Sequence, residues 1–274
     1  MTPISSSGRP PIPFAHSARR PRSIKLALFD LDGTLTRERS AWEYLHRRLG
    51  VWEGHAEKYQ QAFLRGEIDY FRFCELDAAV WKGMRVSALE AMLREVPLYE
   101  GIEDLISYLK GQNIRLGIIS SGLSLLAEWI KDRYGFDFSV ANELGVTDGI
   151  LDGTIRIHVH YDQKGKWVKK AKRLFRANKE EVLAFGDSSG DIVMFQQAGM
   201  SIAFNSRSSL LNEAATLSIH SSDLRDLIPP LISYLNSRQE NFQPRNGGKG
   251  SVSRPAGVST GLLHRLVLLR GERP

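Results

Sequence analysis

The chain has 274 residues, of which 42% are hydrophobic and 25% are charged, as in an ordinary globular protein. Cys74 is the only cysteine, which excludes an intrachain disulfide and favours a reducing compartment, so we expect the cytoplasm. No apolar run reaches the roughly 20 residues needed to span a bilayer, and we therefore expect no membrane partner.

The net charge of +6 comes from the two ends of the chain. Residues 1–22 carry +4 and residues 237–274 carry +5, which leaves −3 for residues 23–236. A slightly acidic body lacks the broad basic surface that nucleic acid requires, so we expect no nucleic acid partner. Both ends are rich in Pro, Gly, Ser or Arg and are predicted to be disordered basic tails. A transit peptide is an alternative for the first, and residues 262–269 could form a short amphipathic helix.

Between the tails, strand and helix patterns alternate. Buried strands are predicted at 24–29, 114–119, 182–185 and 201–204, and helices at 102–110, 123–134, 164–176 and 192–198. Turn signals at 148–149 and 152–153 indicate a small antiparallel excursion within residues 146–159. This alternation predicts an α/β fold, a doubly wound parallel sheet with helices on both faces, built from residues 23–36 and 97–236.

Residues 37–96 interrupt the alternation, because they show helical spacings and no strand signal. Ser40 with Glu43, and Ser87 with Glu90, have the spacing of capping boxes that open helices. We predict about four short helices, inserted directly after the first strand. Such an insertion lies above the carboxyl ends of the strands, where open α/β sheets bind ligands, so we expect a helical cap.

Asp30 and Asp32 follow directly on the first buried strand, in the sequence Asp-Leu-Asp-Gly-Thr. The two-residue period of a strand places both carboxylates on one side, with Leu31 on the other. Two carboxylates held so close repel each other unless a cation lies with them or one stays protonated. The pattern therefore predicts a catalytic pair rather than a plain acidic turn.

A second group of polar residues, Ser120, Ser121 and Gly122, follows the second strand. A hydroxyl followed by free backbone N–H groups at a helix start is a natural cradle for phosphate. The same residues are also ordinary helix-capping chemistry, and the sequence does not separate the two interpretations.

Charged residues complete the pattern in the second half of the chain. Lys164 opens a helix and could neutralise phosphate oxygens, with Lys166 as a rival two residues on. Asp187 and Asp191 lie in a Gly/Ser/Asp loop after the third strand, which could also simply cap the helix predicted at 192–198. Carboxylate oxygens from separate strand ends are the ligands that Mg²⁺ prefers, so we expect Mg²⁺ as the cofactor.

The order Asp-x-Asp, Ser, Lys, Gly-Asp-x-x-x-Asp resembles the haloacid dehalogenase superfamily of phosphohydrolases. The inserted helices after the first motif are similar to the cap of its phosphoserine phosphatase-like branch, and the likeness extends over about residues 24–235. The resemblance implies a phosphomonoester hydrolase that acts on a small phosphorylated metabolite, most simply L-phosphoserine. A phosphatase of another metabolite, a sugar phosphomutase and a non-catalytic binding module are the alternatives, and a homodimer stays open.

The resemblance also implies a role for each motif. Asp30 would be the nucleophile that becomes an aspartyl-phosphate, and Asp32 the general acid and base. The Mg²⁺ ligands would be Asp30, the carbonyl of Asp32 and Asp187, with Asp191 behind them. The phosphate would be bound by Ser120, Ser121, Gly122 and Lys164.

The chain departs from the branch at two places. Gly190 stands where the branch usually has Asn just before the last Asp, so one phosphate contact is in doubt. The branch also holds the substrate's amino and carboxylate groups with a Glu after the first motif and an Arg in the cap. In the corresponding places this chain has residues of opposite charge, Arg39 and Asp77, although Glu38 and Arg72 lie nearby. All four are candidate substrate contacts, although the helix over 69–77 that carries Arg72 and Asp77 could equally present an ordinary amphipathic face.

Overall fold

The computed structural model describes residues 23–240 and contains one seven-stranded sheet. The strands lie in the order β4-β3-β2-β1-β5-β6-β7, and all neighbours are parallel except β3 and β4. The strands are β1 (Leu26–Phe29), β2 (Arg115–Leu123), β3 (Phe138–Thr147), β4 (Ile150–Arg156), β5 (Val182–Gly186), β6 (Met200–Phe204) and β7 (Leu217–Ile219).

The described part of the chain contains ten α-helices. They are α1 (Ala41–Arg48), α2 (Glu57–Leu64), α3 (Tyr70–Val80), α4 (Val86–Leu93), α5 (Ile102–Gly111), α6 (Ser124–Tyr134), α7 (Lys164–Leu174), α8 (Ile192–Phe195), α9 (Ser209–Ala214) and α10 (Ile228–Glu240). A π-helical turn, Trp52–Ala56, connects α1 to α2.

The central strand β1 shows why the sheet is covered on both faces. All four of its residues are fully buried, and their side chains alternate between two hydrophobic cores. Ala27 and Phe29 pack on the side that contains α5 and α6, whereas Leu26 and Leu28 pack on the side that contains α7. The predicted doubly wound α/β fold is confirmed.

The chain runs from β1 outward through β2 and β3, and then returns to the other side of β1 as β5. The strand order therefore reverses between β1 and β5, whose carboxyl ends are followed by Asp30 and Asp187. Such a reversal point is where open α/β sheets form a crevice for ligands.

Along the chain, the four helices α1 to α4 follow β1 and precede α5 and β2, in the segment where the sequence predicts a cap. The Ser40 hydroxyl accepts a hydrogen bond from the Glu43 N–H and caps α1, as predicted. The second predicted cap is wrong: α4 begins at Val86, so Ser87 lies inside the helix, and Arg85 at its N-cap makes no side-chain cap bond.

The predicted antiparallel excursion is the hairpin of β3 and β4. Its turn is Asp148-Gly149, both with positive φ, whereas Asp152-Gly153 lies within β4 and is not a turn. The hairpin also contacts the cap, because the Gly83 N–H donates to the Leu151 carbonyl and the Leu151 N–H donates to the Met84 carbonyl.

Helix α10 continues to Glu240, so residues 237–240 are helical rather than part of a tail. The predicted tail at 1–22, the rest of the tail at 237–274 and the predicted helix at 262–269 lie outside the described residues. Within residues 23–240, no helix combines the length and apolar character needed to cross a membrane.

Candidate active site

Asp30 and Asp32 lie at the carboxyl end of β1 and are only 5% and 9% exposed. The Asp30 N–H donates to the Phe185 carbonyl, which continues the pairing of β1 with β5, and Asp30 Oδ1 accepts a hydrogen bond from the Leu31 N–H. Asp32 Oδ1 accepts a hydrogen bond from the Ala41 N–H, the first residue of α1. The first helix of the cap therefore fixes the orientation of the second carboxylate.

Lys164 is the first residue of α7, and its ammonium group is buried between two carboxylates. Its Nζ lies 2.8 Å from Asp30 Oδ1 and 2.6 Å from Asp191 Oδ1. Burial lowers the pKa of Lys164, but the charges of Asp191 and Asp30 outweigh it, so the pKa lies above its ordinary value and the group stays charged. The rival Lys166 is exposed and bonds to Gln163, away from this cluster.

The loop after β5 brings Asp187 and Asp191 into the cluster that contains Asp30 and Lys164. Asp191 is fully buried, and its Oδ2 accepts hydrogen bonds from the N–H groups of Asp187 and Ser188 and from the Ser188 hydroxyl. The chain passes closely here, since a Cβ on Gly33 would lie 2.3 Å from Asp187 Oδ2. Gly33 also has a φ of +76°, so glycine is favoured at this position on both grounds.

Three acidic groups of this site, Asp30, Asp32 and Asp187, have raised pKa values. Burial, with the charge of Asp191, raises the pKa of Asp30 to about 6. Burial, with the charge of Asp30, raises the pKa of Asp32 to about 7 and that of Asp187 to about 8. Ionising all of them together is therefore unfavourable unless a further cation joins the cluster.

The donor set fits a metal ion. Carboxylate oxygens of Asp30, Asp187 and Asp191 lie within 4.8 Å of one another, and all three residues are buried. If every group is ionised, the four aspartates 30, 32, 187 and 191 outweigh Lys164 and Arg39 by a formal charge of −2, which one divalent cation balances. Oxygen ligands of this kind suit a hard cation.

The residues predicted to bind phosphate differ from the expected geometry in one respect, the point at which β2 ends. The strand β2 continues through Ser120, Ser121 and Gly122 to Leu123, with a break in its register with β3 after Ile119, and α6 begins at Ser124. The Gly122 N–H donates to Ser120 Oγ at 2.9 Å, within the motif itself. A Cβ on Gly122 would lie 2.3 Å from Asp32 Oδ2, so the motif packs directly against the Asp32 carboxylate.

A cavity of about 110 Å³ opens at these strand ends. It brings together predicted residues from three motifs and adds three that the sequence reasoning did not assign to a site. Its lining consists of Asp30, Asp32, Arg39, Ser40, Trp42, Ser120, Ser121, Gly122, Asp187 and Ser188. In the sequence, Ser40 indicates only a helix cap, and Trp42 and Ser188 carry no signal of a functional site.

A buried asparagine, Asn142, is bonded to one of the residues that line this cavity, and the sequence does not mark it as a site residue. Asn142 Nδ2 donates to the Ser121 carbonyl at 2.9 Å and to the Tyr70 hydroxyl at 3.2 Å. Tyr70 of the cap also donates to the Ser121 carbonyl, at 3.1 Å. An unexplained Asn in a buried strand is the signal that could have identified it, because a buried amide must find partners.

The four candidate cap residues have different positions. Arg39 lines the cavity, with Nη1 2.8 Å from Asp187 Oδ2 and Nη2 2.6 Å from the Asn205 carbonyl. Arg72 lies on the exposed surface and pairs with Glu75, and Asp77 is buried in the cap, 3.4 Å from His46 Nε2. Neither of these, nor Glu38, is among the lining residues.

The unusual Gly190 has a steric explanation. A Cβ at this position would lie 2.6 Å from the main-chain oxygen of Tyr161, in the segment that leads to Lys164. Asparagine therefore cannot occupy position 190 unless this segment moves away.

Comparison with known proteins shows extensive similarity. Residues 27–196 match the family of haloacid dehalogenase-like hydrolases. The phosphoserine phosphatase of Methanocaldococcus jannaschii is 30% identical over 205 residues, which cover 74% of this chain and 96% of that protein. Two solved structures of phosphoserine phosphatase, one of a phospho-aspartyl intermediate analogue and one with substrate bound, each align with a TM-score of 0.67 and 28% identity, over 76% of this chain and 99% of theirs.

Proposed function

Because this chain belongs to the haloacid dehalogenase-like hydrolases and is a phosphatase, we propose that it uses Mg²⁺, takes Asp30 as its nucleophile and acts on L-phosphoserine. The observation that carries the proposal is the buried contact of Lys164 with both Asp30 and Asp191, next to Asp187 and Asp32. A protein that only binds a ligand has no need to bury this many charges together, because their desolvation is costly.

In the first half-reaction an oxygen of the Asp30 carboxylate attacks phosphorus, and the ester bond to the leaving oxygen breaks. Lys164 and the Leu31 N–H both bond to Asp30 Oδ1 and thereby hold the carboxylate in one orientation. Asp32, whose pKa of about 7 keeps a protonated fraction near neutrality, donates its proton to the leaving oxygen. The products are the free alcohol and an aspartyl-phosphate on Asp30.

In the second half-reaction the Asp32 carboxylate accepts a proton from a water molecule, whose oxygen attacks the phosphorus of the aspartyl-phosphate. The acyl-phosphate bond breaks, inorganic phosphate leaves and Asp30 is restored. Ser120 with the N–H groups of Ser121 and Gly122, together with Lys164, would bind the phosphoryl oxygens.

Mg²⁺ would be held by the carboxylates of Asp30 and Asp187 and the carbonyl of Asp32, with Asp191 behind them. It would supply positive charge that offsets the charge of the transferring phosphoryl group. We place the enzyme in the cytoplasm, since its single cysteine is a buried thiol in the cap.

The experiment is an assay of inorganic phosphate released from L-phosphoserine, with a panel of sugar phosphates alongside, in Mg²⁺ and in EDTA. We expect release from phosphoserine in Mg²⁺ and none in EDTA, with recovery when Mg²⁺ is returned. Isomerised sugar phosphate without released phosphate would instead indicate a phosphomutase and would refute the proposal.

A further inference from the structure

The lining of the cavity has no spare carboxylate for the ammonium group of a substrate. Three carboxylates line it, those of Asp30, Asp32 and Asp187, and the proposed mechanism uses all three. Among residues 23–240, no other Asp or Glu side chain lines this cavity. A substrate ammonium would therefore find no carboxylate reserved for it.

Three charged residues of α3 are engaged elsewhere. Asp77 is buried against His46 at 3.4 Å, and burial raises the pKa of its carboxyl group. Arg72 and Glu75 pair with each other on the surface at 3.2 Å, and each side chain is 58% exposed. These three residues of α3 therefore offer the cavity neither an anion nor a cation for the recognition of a zwitterion.

Arg39 is the cationic side chain that does line the cavity. Its bonds to Asp187 and to the Asn205 carbonyl hold the guanidinium group in place, while 37% of the side chain stays exposed. A guanidinium has five N–H donors in a planar fork that matches a carboxylate. These two hydrogen bonds use one donor on each terminal nitrogen, so donors are left for a ligand.

Resting on the proposed phosphatase function, we infer that Arg39 binds a carboxylate on the alcohol part of the substrate. The enzyme then selects phosphate esters of small hydroxy acids as a class. L-phosphoserine belongs to this class through its carboxylate, and its ammonium group is not required.

The test compares kcat/KM for three phosphate esters at saturating Mg²⁺. They are L-phosphoserine, its des-amino analogue (the phosphate ester of 3-hydroxypropionate) and phosphoethanolamine, which keeps the amine and lacks the carboxylate. Loss of a charge-assisted hydrogen-bonded contact typically costs about 10- to 100-fold, so we expect phosphoethanolamine to be poorer than phosphoserine by that factor. The des-amino analogue should stay within a few-fold of phosphoserine.

The same ratios are then measured in variants of Arg39. In Arg39→Gln we expect the preference for phosphoserine over phosphoethanolamine to fall to near unity, and Arg39→Lys should keep part of it through its charge. Arg37→Gln is the matched control, because Arg37 bonds to the Leu98 carbonyl and pairs with Glu100 outside the cavity. It should keep the full preference.

A role of Arg39 in positioning Asp187 alone would lower kcat/KM for all three esters equally, and an unchanged ratio in Arg39→Gln would overturn the inference. A des-amino analogue as poor as phosphoethanolamine would also overturn it. That outcome would indicate recognition of the amine by Glu38, whose charge contributes to the raised pKa of Asp32.

Failure of the phosphatase itself is a separate outcome. p-Nitrophenyl phosphate, which carries neither carboxylate nor amine, reports whether the site hydrolyses a phosphate ester at all. No hydrolysis of it or of the three esters in Mg²⁺ would refute the proposed function, and the inference with it. Hydrolysis without preference for a carboxylate would refute the inference alone.

Discussion

Replacing Lys164 with methionine tests the charge balance of the site, because it removes the ammonium group and keeps an unbranched side chain of similar length. The change leaves Asp30 and Asp191 buried without the cation that lies 2.8 and 2.6 Å from them. Removing one partner of a buried ion pair costs about 3–5 kcal/mol in the free energy of unfolding. For a chain of this size each kcal/mol shifts the Tm by about 2–4 °C, so the expected loss is about 6–20 °C.

The assay is thermal unfolding in EDTA at pH 8, where the carboxylates are most costly to keep buried together. The double variant Lys164→Met with Asp191→Asn is the matched control, since the Asn carbonyl oxygen can still accept the hydrogen bonds of Asp187 and Ser188 without the charge. It should recover part of the lost Tm. A single variant with an unchanged or raised Tm at pH 8 would refute this electrostatic account.

Three further predictions concern single groups. Asp30→Asn should abolish turnover without lowering the Tm, because it removes the nucleophile and one charge of a crowded cluster; retained phosphate release would refute the mechanism. In EDTA the folded pKa values of about 6 for Asp30 and about 8 for Asp187 lie above the ordinary 3.8. The stability that these two groups contribute to the folded state is therefore complete below pH 3.8. It is lost as the pH rises through 6 to 8, and Mg²⁺ should therefore raise the Tm more at pH 8 than at pH 5; the reverse order in a thermal scan would contradict the metal site. Gly190→Ala should lower the free energy of unfolding by about 1–3 kcal/mol in a urea titration, because its Cβ would lie 2.6 Å from the Tyr161 oxygen, whereas Gly111→Ala, with open space around it, should not; equal effects would contradict the steric argument.

The strongest sequence signals were those that depend only on local geometry. A short apolar run that ends at Asp30-x-Asp32 was sufficient to predict β1 and the placement of both carboxylates, because the two-residue strand period leaves little choice. The same argument located Asp187 after β5. Lys164 needed the fold as well, since the neighbouring Lys166 has the same chemistry and only the start of α7 decides which one faces the acids.

The substrate end of the site could not be predicted in the same way. Arg39 and Asp77 are equivalent as charged residues of the cap region, yet one lines the cavity and the other is buried beside His46. Which of them faces the core depends on how the cap helices pack, and helical spacing alone does not fix that. The sequence also places Ser87 wrongly, at the start of a helix, because the Ser-x-x-Glu spacing of a capping box can occur inside a helix as well.

Position 190 shows a second limit of sequence reasoning. The sequence shows only that a side chain is absent there. The reason is a contact with the Tyr161 oxygen, 29 positions away along the chain, that becomes visible only when the loops after β4 and β5 are brought together.

The most direct test of the central claim is to locate the phosphoryl group during turnover. The enzyme is mixed with L-phosphoserine and Mg²⁺ and quenched in acid, and its peptides are analysed by mass spectrometry. The account predicts a peptide that contains Asp30 and has gained the mass of one phosphoryl group, with the modification on that residue and absent from the Asp30→Asn variant. Phosphate release at full rate with no phosphorylated Asp30, or with the phosphoryl group on another residue, would contradict it.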